Sequence, residues 1–313
     1  MKQPLIIDAH SHLWLHQDTT WNGQAIRSKR NGRADFLGEE VQMIPPFLVD
    51  GRNTAEAFLS NMDYAQVSAA IVVQELIDGC QNDYLEEVHR RYPERFIICG
   101  LCDYLSEDND PQRLANEATE LSRRGFQGIA IPGHRLLLDN RRIRLNSPQM
   151  MQLFHTLEEK DLFLSITLAD GDTQVAEMEE VIAECPQMRI AVGHFGMPTR
   201  QGWLEQIRLA RHQQVFVEAG GITWLYHREF YPYPSAVRAI LEAADQVGMD
   251  KLMWGSDYPR TITAITYRMS YDFILKSDAM TEAEKALFLG ENARRFYRLN
   301  NVIELPYIKN MSE

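Results

Sequence analysis

The chain has 313 residues, of which 45% are hydrophobic and 24% are charged, and these values are ordinary for a globular protein. Its formal net charge of −12 argues against nucleic acids and anionic membranes as partners, because both select basic surfaces. No apolar stretch approaches the ~20 residues of a membrane helix, and no secretory segment precedes the first strand-like run. We therefore expect a cytoplasmic protein whose partner is a small-molecule substrate.

Eight short apolar runs recur along the chain, and each is continuously hydrophobic rather than alternating. This pattern is typical of strands that are buried on both faces of a parallel sheet. The runs cover residues 5–9, 70–74, 96–102, 128–132, 162–168, 190–193, 215–219 and 251–255. Helical segments alternate with them, at residues 54–66, 82–92, 111–124, 147–160, 173–185, 203–212, 235–247 and 265–276. A further helix, at residues 281–296, begins with a capping-box sequence.

The repeated alternation of strand and helix predicts the α/β class and a (β/α)₈ TIM barrel, with an extra C-terminal helix. We assign all of residues 1–313 to this single domain. A doubly wound open sheet is the structural alternative. It would normally carry a glycine-rich phosphate turn after the first strand, whereas this chain continues as Asp8-Ala9-His10-Ser11-His12.

Residues 13–53 do not fit the regular spacing, because they far exceed the usual ~2–6 residues between a barrel strand and its helix. A loop of this length at the C-terminal end of a barrel strand is typical of a lid or substrate loop. A structural cover or a dimer contact is the alternative. Since dimers are the commonest oligomers, a homodimer is possible on this basis.

Catalytic side chains of a TIM barrel lie at the C-terminal ends of its strands, and three strand ends carry suitable residues. His10 and His12 follow the first run, and residues two apart in a strand point to the same side, so both rings could bind one metal ion. His194 follows the sixth run between two glycines, and Asp257 follows the eighth. A structural histidine and a helix-capping aspartate are the alternatives for these last two residues.

Five further residues are candidates for binding the substrate at the same strand ends. Arg135 and Arg260 could bind a carboxylate, since a guanidinium contacts both oxygens, although surface solvation is the alternative. His134 and Trp224 could line the pocket, although aromatic residues in such loops often serve packing. Glu218 could contact a substrate hydroxyl or join a metal site, and a salt bridge inside the barrel is its alternative.

Three motifs together resemble the amidohydrolase superfamily: His10-Ser11-His12 after strand 1, a histidine after strand 6, and Gly-Ser-Asp-x-Pro after strand 8. The resemblance covers nearly the whole chain. Within the superfamily the sequence is similar to the "amidohydrolase 2" branch, which contains lactonases and decarboxylases similar to aminocarboxymuconate semialdehyde decarboxylase. Residues 193–198 and 254–259 look closest to the lactonases.

The resemblance implies that His10, His12 and Asp257 hold one divalent metal ion, zinc or manganese. That metal would acidify a water molecule and polarise the scissile carbonyl, with Asp257 as the general base. His194 would hydrogen-bond the substrate carbonyl or steady the metal site.

One difference from the family pattern leaves open whether the chain binds a metal. Many relatives carry a metal-binding histidine at the end of strand 5, where this chain has Thr167, with Asp170 and Asp172 as the nearest carboxylates. The branch also contains lactonases that work without a metal.

Three functions therefore compete. The first is hydrolysis, most simply of a lactone, in a small polar or carboxylated metabolite. The second is metal-dependent, non-oxidative decarboxylation of an unsaturated or aromatic acid. The third is a catalytically silent binding protein, which would predict loss of the residues at the barrel mouth, although His10, His12, His194 and Asp257 are all present.

Overall fold

The computed structural model describes residues 4–108, 110–139, 141–306 and 308. Within this part of the chain, the strands form an eight-stranded parallel sheet and a separate four-stranded antiparallel sheet. The strands are β1 (Ile7–Ser11), β2 (Asp18–Trp21), β3 (Gln24–Ser28), β4 (Arg33–Phe36), β5 (Glu39–Gln42), β6 (Ala69–Val72), β7 (Phe96–Gly100), β8 (Gly128–Ile131), β9 (Phe163–Ile166), β10 (Ile190–Val192), β11 (Val215–Glu218) and β12 (Leu252–Met253).

The parallel sheet runs in chain order from β1 through β6 to β12, and its two end strands meet. The Ala9 N–H donates to the Trp254 carbonyl at 3.0 Å, and the Asp257 N–H donates to the His10 carbonyl at 2.8 Å. These bonds close the sheet into a barrel and confirm the predicted TIM-barrel fold. They also bring the end of the first strand against the end of the eighth.

The predicted helices between the barrel strands are present, with ends that differ by a few residues. Two short helices, Gly133–Leu138 and Ile222–Leu225, were not predicted. The helices are α1 (Ala55–Tyr64), α2 (Asn82–Arg91), α3 (Arg113–Arg123), α4 (Gly133–Leu138), α5 (Pro148–Glu159), α6 (Val175–Glu184), α7 (Trp203–Arg208), α8 (Ile222–Leu225), α9 (Pro234–Val247), α10 (Met269–Leu275), α11 (Glu282–Ala286) and α12 (Asn292–Phe296). Among the residues that the structure describes, none of these helices combines the length and the hydropathy that a membrane span requires.

The barrel has one apolar core between its strands and the helices and another inside it. Phe163 and Phe216, near the beginnings of their strands, point into the barrel and contact the ring of Phe296 from α12, at centroid distances of 6.1 and 5.0 Å. The C-terminal helix therefore closes the floor of the barrel. The opposite end, where the strands finish, stays open for the polar residues of the candidate site.

The predicted C-terminal helix at residues 281–296 is interrupted in the structure. Its capping box forms as expected between Thr281 and Glu284, but residues Leu287–Glu291 form a π-helix. The Phe288 carbonyl in this stretch accepts the Trp254 N–H at 2.7 Å. Gly290 lies directly against the Leu5 carbonyl, where a Cβ atom would come within 2.2 Å. Close packing against the barrel therefore decides the local helix geometry.

Residues 13–53 contain a folded sheet rather than the expected loop. Strands β2 to β5 form an antiparallel meander, and the first turn is Asn22-Gly23, with both residues at positive φ. This pair is the strongest short sequence signal for a two-residue hairpin, so the sheet could have been predicted. Its apolar residues form a small core of their own around Trp14 and Ile44.

Candidate active site

The ends of the first and eighth barrel strands place three side chains at one point of the barrel mouth. The His10 and His12 rings lie on the same side of β1, as residues two apart in a strand should. Asp257 has a φ of 58°, and this left-handed backbone turns its carboxylate back toward the two rings. The backbone N–H of His12 donates to the backbone carbonyl of Tyr258 at 2.8 Å, and this bond holds the two strand ends in register.

A buried network behind the site fixes this geometry. The carboxylate of Asp8 accepts the backbone N–H of Ser256 at 2.8 Å and its hydroxyl at 2.5 Å. It also accepts the Tyr267 hydroxyl at 2.7 Å and the His10 N–H at 3.2 Å. Burial raises the pKa of Asp8 to about 6 even though these hydrogen bonds favour its ionised form. Asp8 thereby ties the segment before Asp257 to the strand that carries the histidines.

Three possible metal-ligand atoms converge in front of this network. The Nε2 atoms of His10 and His12 are 3.1 Å apart. The Oδ1 atom of Asp257 lies 3.2 Å from Nε2 of His12 and 3.7 Å from Nε2 of His10. All three residues are buried, and among the described residues they form a group that could hold a metal ion.

Two buried carboxylates contact the outer nitrogens of these rings. Glu218 Oε1 lies 2.7 Å from Nδ1 of His10. Asp78 Oδ2 lies 3.0 Å from Nδ1 of His12, an ion-pair distance, although the N–H direction is not aligned for an ideal hydrogen bond. Because each carboxylate favours a proton on Nδ1, each Nε2 is left with a lone pair that points at the other.

The cluster therefore accommodates a positive charge among its three inner atoms. Burial lowers the pKa of His12, but Asp257 and Asp78 outweigh burial and raise it to about 10. The raised pKa of His12 favours a proton at this point, and the same lone pairs could instead bind a metal cation. The donor set, two imidazole nitrogens and a carboxylate oxygen backed by outer carboxylates, fits a divalent transition metal such as zinc.

The fifth strand adds no ligand to this cluster. Thr167 lines the adjoining cavity, but neither Asp170 nor Asp172 belongs to the ligand group formed by the described residues. Asp170 instead pairs with Arg200 at 3.2 Å. Asp170 and Asp172, the possible substitutes for the strand 5 histidine of many relatives, therefore lie outside the group of His10, His12 and Asp257.

His194 lies beside the cluster, with its ring centroid 4.6 Å from that of His10. Its Nδ1 atom is 2.9 Å from the Gly220 carbonyl and must carry a proton to donate to it. Burial and the neighbouring His10 lower the pKa of His194, so the ring is neutral and its Nε2 is an acceptor. In this tautomer, neutral His194 has no free N–H to donate to a substrate carbonyl, which was one of the two roles that the family resemblance implied. The other role, steadying the metal site, stays a prediction. His194 can accept a hydrogen bond from a water molecule or a hydroxyl.

A cavity of about 290 Å³ opens in front of the cluster, and four of the predicted substrate-binding residues line it: His134, Arg135, Trp224 and Arg260. Glu218 is the exception. It is 1% exposed and lies behind His10, where it also accepts the Gly220 N–H at 2.5 Å. The structure therefore places Glu218 outside the lining of the cavity, in a salt bridge with His10 inside the barrel, where it backs a candidate metal ligand.

Both arginines in the cavity already have acidic partners. Arg135 forms an ion pair with Glu75, and Arg260 lies 3.3 Å from Asp78. The indole of Trp21, from the antiparallel sheet, packs against the Arg135 guanidinium at 5.2 Å from its ring centroid. A carboxylate on the substrate would thus share an arginine with a carboxylate of the chain.

The neighbouring His134 has a different character. Its Nδ1 atom is buried without a hydrogen-bond partner, and burial together with Arg135 and His194 lowers its pKa to about 3. His134 is therefore neutral near pH 7 and has an unused polar atom beside the cavity.

Comparison with known proteins agrees with this arrangement. The sequence matches the family described as Amidohydrolase over residues 7–299. The chain belongs to the amidohydrolase family. As members of this family are enzymes, the protein is an enzyme of the amidohydrolase type. No curated protein matches the chain significantly.

Solved structures share its barrel at low sequence identity. A probable 2-pyrone-4,6-dicarboxylic acid hydrolase from Acinetobacter baumannii, with citric acid bound, has a TM-score of 0.68 and 19% identity over 94% of this chain and 99% of its own. An amidohydrolase from Burkholderia multivorans with bound zinc has a TM-score of 0.66 and 19% identity over the same shares. A 5-carboxyvanillate decarboxylase from Novosphingobium aromaticivorans, complexed with manganese, has a TM-score of 0.55 and 21% identity, and covers 78% of this chain and 80% of its own.

Three residues of this amidohydrolase site were missed from the sequence: Asp8, Glu75 and Asp78. Glu75 directly follows the second apolar run and Asp78 lies three residues further on, the same kind of position that singled out the other candidates. That position was a usable signal. Asp8 lies within the first apolar run, and a charge there is costly unless it is paired, so it too could have been recognised.

The outer carboxylates lead to a testable expectation for the amidohydrolase. Asp78→Asn is expected to weaken zinc affinity by about 10–100-fold, since removing a partner of a metal-binding histidine typically has this effect. Competition with a chromogenic chelator measures the affinity. Asp170→Asn is the matched control, because Asp170 lines the same cavity without contacting a ring of the cluster. An equal loss in both variants would show that only the overall negative charge matters.

Proposed function

We propose that this amidohydrolase hydrolyses a lactone ring in a small metabolite and uses one divalent metal ion, zinc or manganese. The observation that carries the proposal is the convergence of His10, His12 and Asp257 at the wall of a substrate-sized cavity. The zinc in the Burkholderia amidohydrolase and the manganese in the Novosphingobium decarboxylase support a metal of this class. Such an ion, when bound, supplies a Lewis acid that polarises a carbonyl and acidifies water.

The side chains of the site have distinct roles in this proposal. Asp257 takes the proton of the attacking water and returns it to the ring oxygen that leaves. The indole N–H of Trp224 donates to Asp257 Oδ2 at 2.8 Å and orients the carboxylate. His194 accepts a hydrogen bond from the water through Nε2. Neutral His134, which also lines the cavity, can donate a hydrogen bond to the substrate.

Hydrolysis is favoured over decarboxylation for two reasons. The similarity to the Acinetobacter hydrolase spans 94% of the chain, against 78% for the Novosphingobium decarboxylase. A decarboxylase must also bind the carboxylate that it removes, and both arginines of the cavity are already paired with Glu75 and Asp78.

The test is an activity panel with the enzyme loaded with zinc or manganese. The panel contains δ-valerolactone, dihydrocoumarin and 2-pyrone-4,6-dicarboxylate, with 5-carboxyvanillate as the decarboxylation substrate. We expect acid release from at least one lactone, its loss after chelation and its return when metal is added. Carbon dioxide release from 5-carboxyvanillate without turnover of any lactone would replace hydrolysis by decarboxylation. Lactone turnover that persists after complete removal of metal would overturn the metal assignment.

A further inference from the structure

A second cavity, of about 240 Å³, lies beside the first and shares the side chain of Trp224 with it. We name it the side pocket, and its walls are mainly aromatic and aliphatic. The residues that define it here are Trp224, Phe230, Tyr231, Tyr233, Ile265 and Met269. A pocket of ~150 Å³ is enough to hold a benzene ring, so the side pocket has room for an aryl or branched alkyl group.

Three polar side chains of the side pocket already have hydrogen-bond partners within the protein. The Tyr231 hydroxyl donates to Asp272 at 2.9 Å. Glu229 accepts the Ser235 N–H at 2.9 Å, and Nδ1 of His227 bonds to the Trp224 carbonyl at 2.8 Å. A ligand therefore meets mostly apolar surface. Phe230 is 91% exposed, and a ligand in the pocket would cover part of this ring.

Trp224 lines both cavities. Its indole lies directly over Gly221, where a Cβ atom would come within 1.7 Å of Nε1, so only glycine leaves room for it. The same nitrogen donates to Asp257 Oδ2 at 2.8 Å. A substrate that occupied both sides of this indole would have its reacting carbonyl near Asp257 and its substituent in the side pocket.

The two arginines of the main cavity offer little free positive charge to a strongly anionic substrate. The cavity is lined by four carboxylates, from Glu75, Asp78, Asp170 and Asp257, and by two guanidinium groups, and the His12 cluster adds one cationic site. Both guanidinium groups are paired with carboxylates of the chain. A substrate with two or three carboxylates would have to displace these pairs, whereas an uncharged ring would not.

We infer that the substrate is a lactone or ester of low charge with one aryl or branched alkyl group, and that this group binds in the side pocket. The reaction class rests on the proposed function, whereas the binding of an apolar group does not. This inference separates the chain from a dicarboxylate hydrolase. It also makes Phe230, Ile265 and Met269 residues that determine specificity without touching the reacting atoms.

The first measurement is binding of 4-fluorobenzyl alcohol to the full chain, followed by fluorine NMR. We expect saturable binding that weakens about fivefold in Phe230→Ala, because roughly 40 Å² of apolar contact is lost. Leu138→Ala is the matched control, since Leu138 is 63% exposed and lines neither cavity. Equal affinity in the wild type and Phe230→Ala would overturn the assignment of the side pocket.

The second measurement compares the turnover of dihydrocoumarin and δ-valerolactone. Phe230→Ala is expected to lower kcat/KM for dihydrocoumarin about fivefold through KM and to leave δ-valerolactone within about twofold, since only the larger ring reaches the pocket. Equal losses for both lactones would contradict the inference. Probe binding that behaves as expected, with neither lactone hydrolysed, would support the pocket and count against the proposed reaction. Lactone hydrolysis without probe binding would support the proposed reaction and count against the side pocket.

Discussion

Asp257→Asn is expected to lower kcat for lactone hydrolysis by at least about 10³-fold, near the upper part of the range for loss of a general base. Asparagine has nearly the same shape and still offers an oxygen to the indole N–H of Trp224, which donates to Asp257 at 2.8 Å. It cannot take a proton from water, and it is a weaker metal ligand. Steady-state kinetics measure the loss, and circular dichroism checks that the barrel is folded.

The metal content of the variant separates the two roles of Asp257. If Asp257→Asn is assayed at a zinc concentration that saturates its remaining ligands, a persistent loss of kcat reports the missing base. Recovery of most of the activity under these conditions would show that Asp257 serves only as a ligand. Asp139→Asn is a matched control, because Asp139 is a buried aspartate that lines neither cavity.

The double substitution His10→Ala, His12→Ala is expected to remove the bound metal altogether. Two of the three converging ligand atoms are then lost, and Asp257 alone binds a divalent ion weakly. Elemental analysis of protein purified without added metal should give near-stoichiometric zinc or manganese in the wild type and a background level in the variant. Activity should fall in parallel.

A second group of possible ligands makes one control necessary. His155, Glu158 and Cys185 also lie close enough together to hold an ion, on the outer helices of the barrel. His155→Ala should leave both the metal content and the activity unchanged if the barrel mouth is the site. Metal that is retained in the double variant but lost in His155→Ala would place the ion on the outer helices instead. No metal in the wild type, even after incubation with zinc or manganese, would point to a metal-independent lactonase.

The barrel and the three residues of the inner cluster could be predicted because their signals are local. Each barrel strand is buried on both faces, so it appears in the sequence as a continuous apolar run. His10 and His12 are two residues apart in one strand, and Asp257 directly follows another. In a closed parallel barrel all strand ends meet at one mouth, so fold class and strand position together bring these residues near one another.

The outer parts of the site depend on contacts between segments far apart in the chain. Glu218 lies 208 residues after His10, and no spacing rule shows whether its carboxylate points toward the substrate or behind the ring. The pairing of Arg135 with Glu75, 60 residues away, likewise could not be predicted from the sequence. Because of this pairing, Arg135 is not free to bind a substrate carboxylate. It lines the cavity with its charge already neutralised by Glu75.

The sequence by itself determined the fold, the family and the identity of the cluster at the barrel mouth, because hydrophobic periodicity and residue type are properties of short segments. Only the tertiary structure decided the tautomer of His194, the position of Glu218 behind His10, and the presence of an apolar pocket beyond Trp224. These features depend on which distant groups share a hydrogen bond or a cavity wall. Chain folding sets those pairings through geometry, and the free energy of each buried charge then depends on the partner that it meets.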